Sequence, residues 1–388
     1  VEPALLLQLR FSSPYKKYEV FHLKAPTHSV LEDGRVIFRY SDPQTASPFE
    51  VEIRCPLTSK VHEAHREILD RHRQWARSFG IPAGGDSYQR FCDTRLDLLA
   101  SYQCRDLPLD AAVLHSHLMS WFFVFDDIMD IDHGLDEKLR PLVVELVKRH
   151  LEVLDGSVPD AGAARCVHAF YDLLKKARDL STGRFTVWYD RLVHHLREYV
   201  FGANWESMIG PTTDANTNTP MYLQVRHMAV GVAPCLDLLA MGAGIAGEAL
   251  AGNFFIQRLE GLAINYSIWI NDLAGLNRDL RHRLGNIVFT LQRDHTLSLK
   301  EATGMLARMC NAELEAFLIV EQQLPVLLRE EYELHKVVCD SYVRVLKNWM
   351  RGLLDWSAGT ARYQRLDEDM ALQNDTLIRQ ALQKHLAE

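Results

Sequence analysis

The sequence predicts an all-α fold, one helical domain whose central helices enclose a pocket. From Ser59 onward apolar residues recur at helical spacing with little interruption. The breaks between periodic stretches hold turn residues, as in Asp155-Gly156-Ser157-Val158-Pro159 and Gly210-Pro211. No internal repeat or second periodic block marks another domain, and 388 residues at 47% hydrophobic content suffice for a large core.

In chain order the spacing predicts helices over 59–79, 87–104, 109–131, 136–154, 160–179, 184–202, 219–242, 247–283, 299–323 and 326–354. Residues 1–55 read differently. Strand-like pieces at Leu5–Phe11 and Arg35–Tyr40 lie between Pro and Gly punctuation, so an N-terminal extension is expected there, packed on the domain or loose. The helical domain then spans 56–365. The tail, 366–388, is polar with some helical period, a surface helix or a disordered end.

Composition removes several function classes. A formal net charge of −8 disfavours nucleic acid, and no basic run suggests a membrane surface. The longest apolar stretch, 111–125, carries His115, Ser116, His117 and Ser120 and is too short to span a bilayer. No signal peptide is recognisable from Val1 onward, so secretion is unsupported. The seven cysteines are scattered and never in a CxxC arrangement, which reads as reduced thiols in a cytoplasmic protein.

The apolar run 111–125 flows directly into Asp126, Asp127 and Asp130. On a helix these carboxylates share one patch, with Phe122 and Phe123 a turn earlier. At ~6 Å and an effective dielectric of ~20, each pair repels by roughly 3 kcal/mol, and a helix C-terminus disfavours anions further. A cation is needed. All-oxygen ligands point to a hard ion such as Mg²⁺, which binds through one or two carboxylates, waters and substrate phosphates.

A matching half lies downstream. Asn271, Gly275 and Asp279 advance by four and keep to one helical face, so Asn271 and Asp279 are candidates for a second metal site. Arg226 stands alone in an apolar stretch, and Arg362-Tyr363 lies near the C-terminus; guanidinium forks suit phosphate oxygens. Each element also has a plain structural alternative. Asp126 to Asp132 would serve as a solvated helix end, Asn271-Asp272 as a cap, Arg226 as an ordinary buried ion-pair residue, and Arg362-Tyr363 as a surface turn. Phe122, Phe123, Trp349 and Trp356 would equally pack as core.

With these four elements in this order, residues 55–365 resemble the class I terpene synthases of the microbial type. Asp126-Asp127-Ile-Met-Asp130 matches the family's DDxxD motif, 271–279 is similar to its NDxxSxxxE motif, Arg226 stands near its diphosphate-sensing arginine, and Arg362-Tyr363 matches its C-terminal Arg-Tyr pair. Two positions depart from the pattern: Gly275 lacks the usual hydroxyl, and Asp279 is one methylene shorter than the usual Glu.

The resemblance implies the class I terpenoid synthase helical bundle and a Mg²⁺-dependent enzyme acting on a linear prenyl diphosphate, farnesyl diphosphate foremost, with release of inorganic diphosphate. It assigns Mg²⁺, normally three ions in the family, to Asp126, Asp130, Asn271 and Asp279, with a water beside Gly275. Asp127 is expected to lean away from the metal, towards a basic neighbour. Arg226, Arg278, Arg362 and Tyr363 would clamp the diphosphate, and Phe122, Phe123 and Trp356 would line the pocket. A helix break at Ala229–Gly231 would turn the Val230 carbonyl to the substrate, so that Arg226, Val230, Arg362 and Tyr363 form the catalytic set. The alternatives are a chain-elongating prenyl diphosphate synthase, which wants a second aspartate-rich motif, and a non-catalytic helical protein of the same descent. A monomer and a homodimer both stay open.

Overall fold

The computed structural model describes residues 28–42, 45, 47–82, 86–130, 140–209, 217–245, 248–282 and 284–364. Three strands come first: β1 Ser29–Val30, β2 Arg35–Ser41 and β3 Pro48–Arg54, an antiparallel sheet in that order. The helices follow as α1 His65–Phe79, α2 Asp86–Asp93, α3 Leu96–Gln103, α4 Leu109–Asp130, α5 Arg140–Leu154, α6 Arg165–Ser181, α7 Thr186–Ile209, α8 Thr219–Ala229 and α9 Val232–Gly242. The remainder are α10 Glu248–Ala251, α11 Phe254–His282, α12 Ile287–His295, α13 Leu299–Leu328, α14 Glu330–Gly359 and α15 Ala361–Gln364. The all-α expectation holds, with a small sheet added. Leu5–Phe11 and 366–388 lie outside the described residues.

At the centre are α4 and α11. Every residue from Ala111 to Phe122 is buried, so α4 is covered on all sides. Its serines are accommodated locally: Ser116 Oγ donates to the Val113 carbonyl at 2.7 Å and Ser120 Oγ to the Ser116 carbonyl at 3.0 Å. Caps fix where the outer helices begin. Asn218 accepts from the Met221 N–H, Asn286 from the Val288 N–H, and Ser298 and Glu301 form a capping box that starts α13.

Several elements differ from the sequence reading. The helix expected over 87–104 is two helices, because Arg95 adopts a left-handed φ of 55° between them. The Thr94 carbonyl freed by that break accepts from Trp356 Nε1 at 2.8 Å and Thr360 Oγ1 at 2.9 Å. A nine-residue helix, α12, fills a stretch read as connection. Pro325 sits inside α13, which runs on to Leu328 and turns into α14 at Arg329. Among the described residues, Thr219–Gly242 is the stretch long and apolar enough by composition alone to cross a membrane. It is 67% buried and is divided at Gly231, as two core helices.

The described part of the N-terminal segment packs on the bundle. Val36, Phe38 and Tyr40 of β2 and Phe49, Val51 and Ile53 of β3 are the alternate, buried positions of the sheet. Tyr40 donates its hydroxyl to the Leu273 carbonyl of α11 at 2.7 Å. Arg351 of α14, 4% exposed, donates to the carbonyls of Gly34 and Cys55 and forms a two-armed pair with Asp355. Because that arginine serves two carbonyls and a buried carboxylate, Arg351→Ala is expected to lower unfolding free energy by about 3–5 kcal/mol in chemical denaturation. A loss below about 1 kcal/mol, the level of a surface pair, would show that the sheet docks without it.

Candidate active site

A pocket of about 1000 Å³, counted to its open mouth, opens between α3, α4, α7, α8, α9, α11 and α14. Its polarity follows the helix axes. On α4, Met119, Phe122 and Phe123 precede Asp126; on α11, Ser267 precedes Asn271, Arg278 and Asp279; on α14, Trp349, Leu353 and Trp356 precede Arg362 and Tyr363 of α15. Each chain segment passes from apolar wall to charged rim as it nears its C-terminal end. Over the 12 positions from Ser267 to Asp279 that is ~18 Å at 1.5 Å per residue.

Arg226 reaches the rim from α8, near the end that meets α9. Its guanidinium donates to Asp272 Oδ1 at 3.2 and 3.1 Å and to Asn271 Oδ1, and faces Glu206 at 3.6 Å. Burial disfavours its charge, yet Asp272, Tyr222 and Glu206 hold it well above the ordinary arginine pKa. Asn271 in turn donates to the Tyr363 hydroxyl at 3.1 Å, so Arg226, Asn271 and Tyr363 form one chain across the mouth. The outer oxygen of Asp272 accepts from the Tyr222 hydroxyl at 2.6 Å and the Ile287 N–H at 3.0 Å.

Acids and bases face each other on the opposite side. Arg362 donates to Asp127 at 3.1 Å and Asp126 at 3.4 Å, with its guanidinium 4.7 Å over the Phe123 ring. Arg278 lies 3.9 Å from Asp127 and 3.5 Å from Asp279. Asp127 thus leans to basic neighbours, as the sequence suggested. Asp279 accepts from Asn286 Nδ2 at 2.8 Å. Burial pushes its carboxyl up to about 7, against the pull of Arg278 and the Asn286 hydrogen bond. Gly275 sits beside it: a Cβ there would lie 3.1 Å from Asp279 Oδ2.

Phe122, Phe123 and Trp356 all line the pocket, with Trp349, which the sequence left as core. Val230 also lines it, at the break between α8 and α9. Gly231 makes that break with φ of 67°, and its missing side chain admits the rings of Phe122 and Tyr199, 3.2 and 3.3 Å from where a Cβ would stand. The side chain of Asp130 lies outside the described residues. Sequence reasoning missed Glu206, Asn286, Gln103 and the hub role of Asp272. Only Asp272 carried a signal, its place next to Asn271.

The oxygen donors suit a hard divalent cation. Among the described residues no three His, Cys, Asp or Glu side chains converge on a ready-made site. Asp126, Asn271 and Asp279 instead offer single oxygens around one mouth, the pattern of an ion completed by waters and substrate phosphates. A buried carboxyl held near neutral pH, as Asp279 is, gains most from such a cation.

Known proteins resemble the chain in sequence and in fold. The profile of the family described as terpene synthase family 2, C-terminal metal binding, matches residues 117–316. The chain is 30% identical to an isoafricanol synthase of Streptomyces violaceusniger over 75% of its own length and 78% of the relative's. It is 25% identical to a germacrene A synthase of Nostoc punctiforme, over 81% and 94% of the two chains. In fold it is similar to germacradien-4-ol synthase of Streptomyces citricolor, with a TM-score of 0.68, 20% identity and 79% and 98% coverage. It is similar also to linalool/nerolidol synthase of Streptomyces clavuligerus, solved with 2-fluorogeranyl diphosphate, at a TM-score of 0.67, 21% identity and 77% and 100% coverage.

Removing the hub should be felt in stability before chemistry. Asp272→Ala leaves the Arg226 charge buried beside fewer acceptors and is expected to cost about 3–5 kcal/mol in denaturant unfolding. Asp127→Ala, at the more accessible mouth, is expected to cost about 1 kcal/mol or less. Equal losses would show that Asp272 is not the point where the rim is anchored.

Proposed function

The chain belongs to the terpene synthases, and on that premise we propose that it ionises a linear prenyl diphosphate, farnesyl diphosphate foremost, with Mg²⁺. The products are inorganic diphosphate and a cyclic or linear terpene hydrocarbon or alcohol. The observation that carries this reading is the pocket itself, a rim of Asp126, Asn271, Asp279 and three arginines above a wall of Phe122, Phe123, Trp349 and Trp356. A rim of that kind holds a metal-bound diphosphate, and a wall of that kind holds a hydrocarbon chain. The relatives named as germacrene A and isoafricanol synthases support a terpene product.

Asp126, Asn271 and Asp279 would hold Mg²⁺, with Asp130 as the family resemblance implies and a water in place of the hydroxyl that Gly275 lacks, and the metal, normally three ions in the family, would supply Lewis acidity to the diphosphate oxygens. The side chains supply the rest. Arg226, Arg278 and Arg362 donate to the diphosphate and neutralise it as the carbon–oxygen bond breaks. Burial raises the Tyr363 pKa, so its hydroxyl stays protonated and acts as a donor. Arg362 exchanges Asp126 and Asp127 for the anion, which frees both carboxylates. The Val230 carbonyl at the helix break and the aromatic faces stabilise the allylic cation, each ring by ~0.5–2 kcal/mol. The apolar wall keeps bulk water from that cation.

The direct test is turnover of geranyl, farnesyl and geranylgeranyl diphosphates with Mg²⁺, following diphosphate release and extractable products. Farnesyl diphosphate is expected to give the highest kcat/KM; no diphosphate release from any of the three would remove the reading. Asp126→Asn is expected to slow release about a hundredfold or more with the fold intact by circular dichroism. At position 275 the contrast between two variants isolates the hydroxyl. Gly275→Ala only crowds Asp279, whereas Gly275→Ser crowds it equally and adds an oxygen ligand. The Ser variant should therefore reach half-maximal activity at lower Mg²⁺ than the Ala variant, and equal values would withdraw position 275 from the metal site.

A further inference from the structure

The turn from α11 into α12 sets one amide against the carboxylate of Asp279. Asn286, 0% exposed, caps α12 through Oδ1, which accepts from the Val288 N–H at 3.0 Å. Its Nδ2 donates to the Asp272 carbonyl and to Asp279 Oδ2, both at 2.8 Å. A primary amide has two N–H donors, so both are engaged. The orientation follows from the partners: turned over, the amide would set its carbonyl against two oxygens and its NH₂ against the Val288 N–H.

The course of α11 explains how one side chain serves both Asp272 and Asp279. The Asp272 carbonyl points towards the C-terminal end of the helix, and the Asp279 side chain leans back towards the N-terminal end. Between them lies Gly275, with no side chain to fill the gap; a Cβ there would meet Asp279 Oδ2 at 3.1 Å. The Asp279 carboxylate therefore has two unlike oxygens. Oδ2 is held over Gly275 by Asn286, while Oδ1 faces Arg278 at 3.5 Å, the guanidinium that also reaches towards Asp127. The amide is fixed from a second side, since the N–H of the next residue, Ile287, donates to Asp272 Oδ2 at 3.0 Å.

We propose that Asn286 positions Asp279 for the metal: it holds Oδ2 over the bare face of Gly275 and leaves Oδ1 as the single oxygen that Asp279 presents to a divalent cation. This rests on the ionisation reading above and says how the second metal site works with a carboxylate one methylene shorter than the usual Glu and with no hydroxyl at 275. A short arm spans less distance, so its surroundings must place it. A partner that fixes one oxygen orients the other, as outer partners do for metal ligands generally. Asn286 acts through Asp279, as a positioning residue. Two successive residues of α12 thus serve both halves of the rim: Ile287 holds the carboxylate that carries Arg226, and Asn286 holds the carboxylate offered to the metal.

The test is the affinity of the full chain for Mn²⁺, a paramagnetic stand-in for Mg²⁺, titrated with inorganic diphosphate present and followed by electron paramagnetic resonance. Asn286→Ser keeps an oxygen for the cap and loses the donor to Asp279; the dissociation constant is expected to rise about tenfold or more, with circular dichroism unchanged. In an Asp279→Asn background the same change is expected to move it less than about twofold, because the carboxylate through which Asn286 acts is gone. Asn286→Asp keeps shape and cap but replaces the donating NH₂ by an oxygen; it is expected to weaken binding at least as much and serves if the Ser variant does not fold. An undiminished affinity in a folded variant, or an equal rise of the constant in both backgrounds, overturns the positioning role and leaves the ionisation reading standing. Wild-type affinity in Asp279→Asn alone withdraws Asp279 from the metal site, and the proposal with it. Absence of diphosphate release from any prenyl diphosphate overturns the reading on which the proposal rests.

Discussion

The bundle and its pocket both depend on one buried carboxylate. Asp272 has no exposure, and its two oxygens receive Arg226 twice, the Tyr222 hydroxyl and the Ile287 N–H. Those partners belong to α8 and the start of α12, so a single side chain of α11 fixes both neighbours in register. A guanidinium cannot shed its proton to escape burial, and an uncompensated charge there is costly. Arg226 therefore stays where Asp272 holds it, with its outer edge turned to Asn271 and the mouth.

The mouth is electrically matched in a different way. Asp126 and Asp127 are engaged by Arg362, and Arg278 stands between Asp127 and Asp279. Like-charged groups that would repel are kept apart by opposite ones. On the proposed function, a polyanion arriving with cations would replace each of these pairs by an equivalent one, carboxylate to cation and guanidinium to phosphate. The number of buried unpaired charges need not change during the exchange, so the rim can be tightly closed and still be responsive.

Much of this was legible in the sequence because helical spacing is a regular ruler. Asn271, Gly275 and Asp279 share a face once the segment is a helix, and the structure keeps them together, with the Gly275 position against Asp279. The break at Ala229–Gly231 was likewise visible, since glycine is the residue that tolerates a left-handed φ beside packed rings. What was illegible came from contacts between distant segments. Nothing near Thr94 announces that its carbonyl will receive Trp356 and Thr360, and a left-handed Arg95 runs against local preference. Glu206, Asn286 and Gln103 carry no motif; only the tertiary fold brings them to the pocket. The strands β2 and β3 were half visible, their alternation masked by charged outward positions and by the interposed turn.

The polarity gradient along α4, α11 and α14 has a consequence for how such a chain changes over generations. Charged rim groups and apolar wall groups occupy successive turns of the same helices, and a substitution at Met119 or Leu353 meets only the second kind. Drift among apolar residues of similar volume costs little stability and leaves the charged rim intact. The deep wall is therefore free to take many shapes beneath one charged rim, a layout in which chemical novelty can arise by neutral steps.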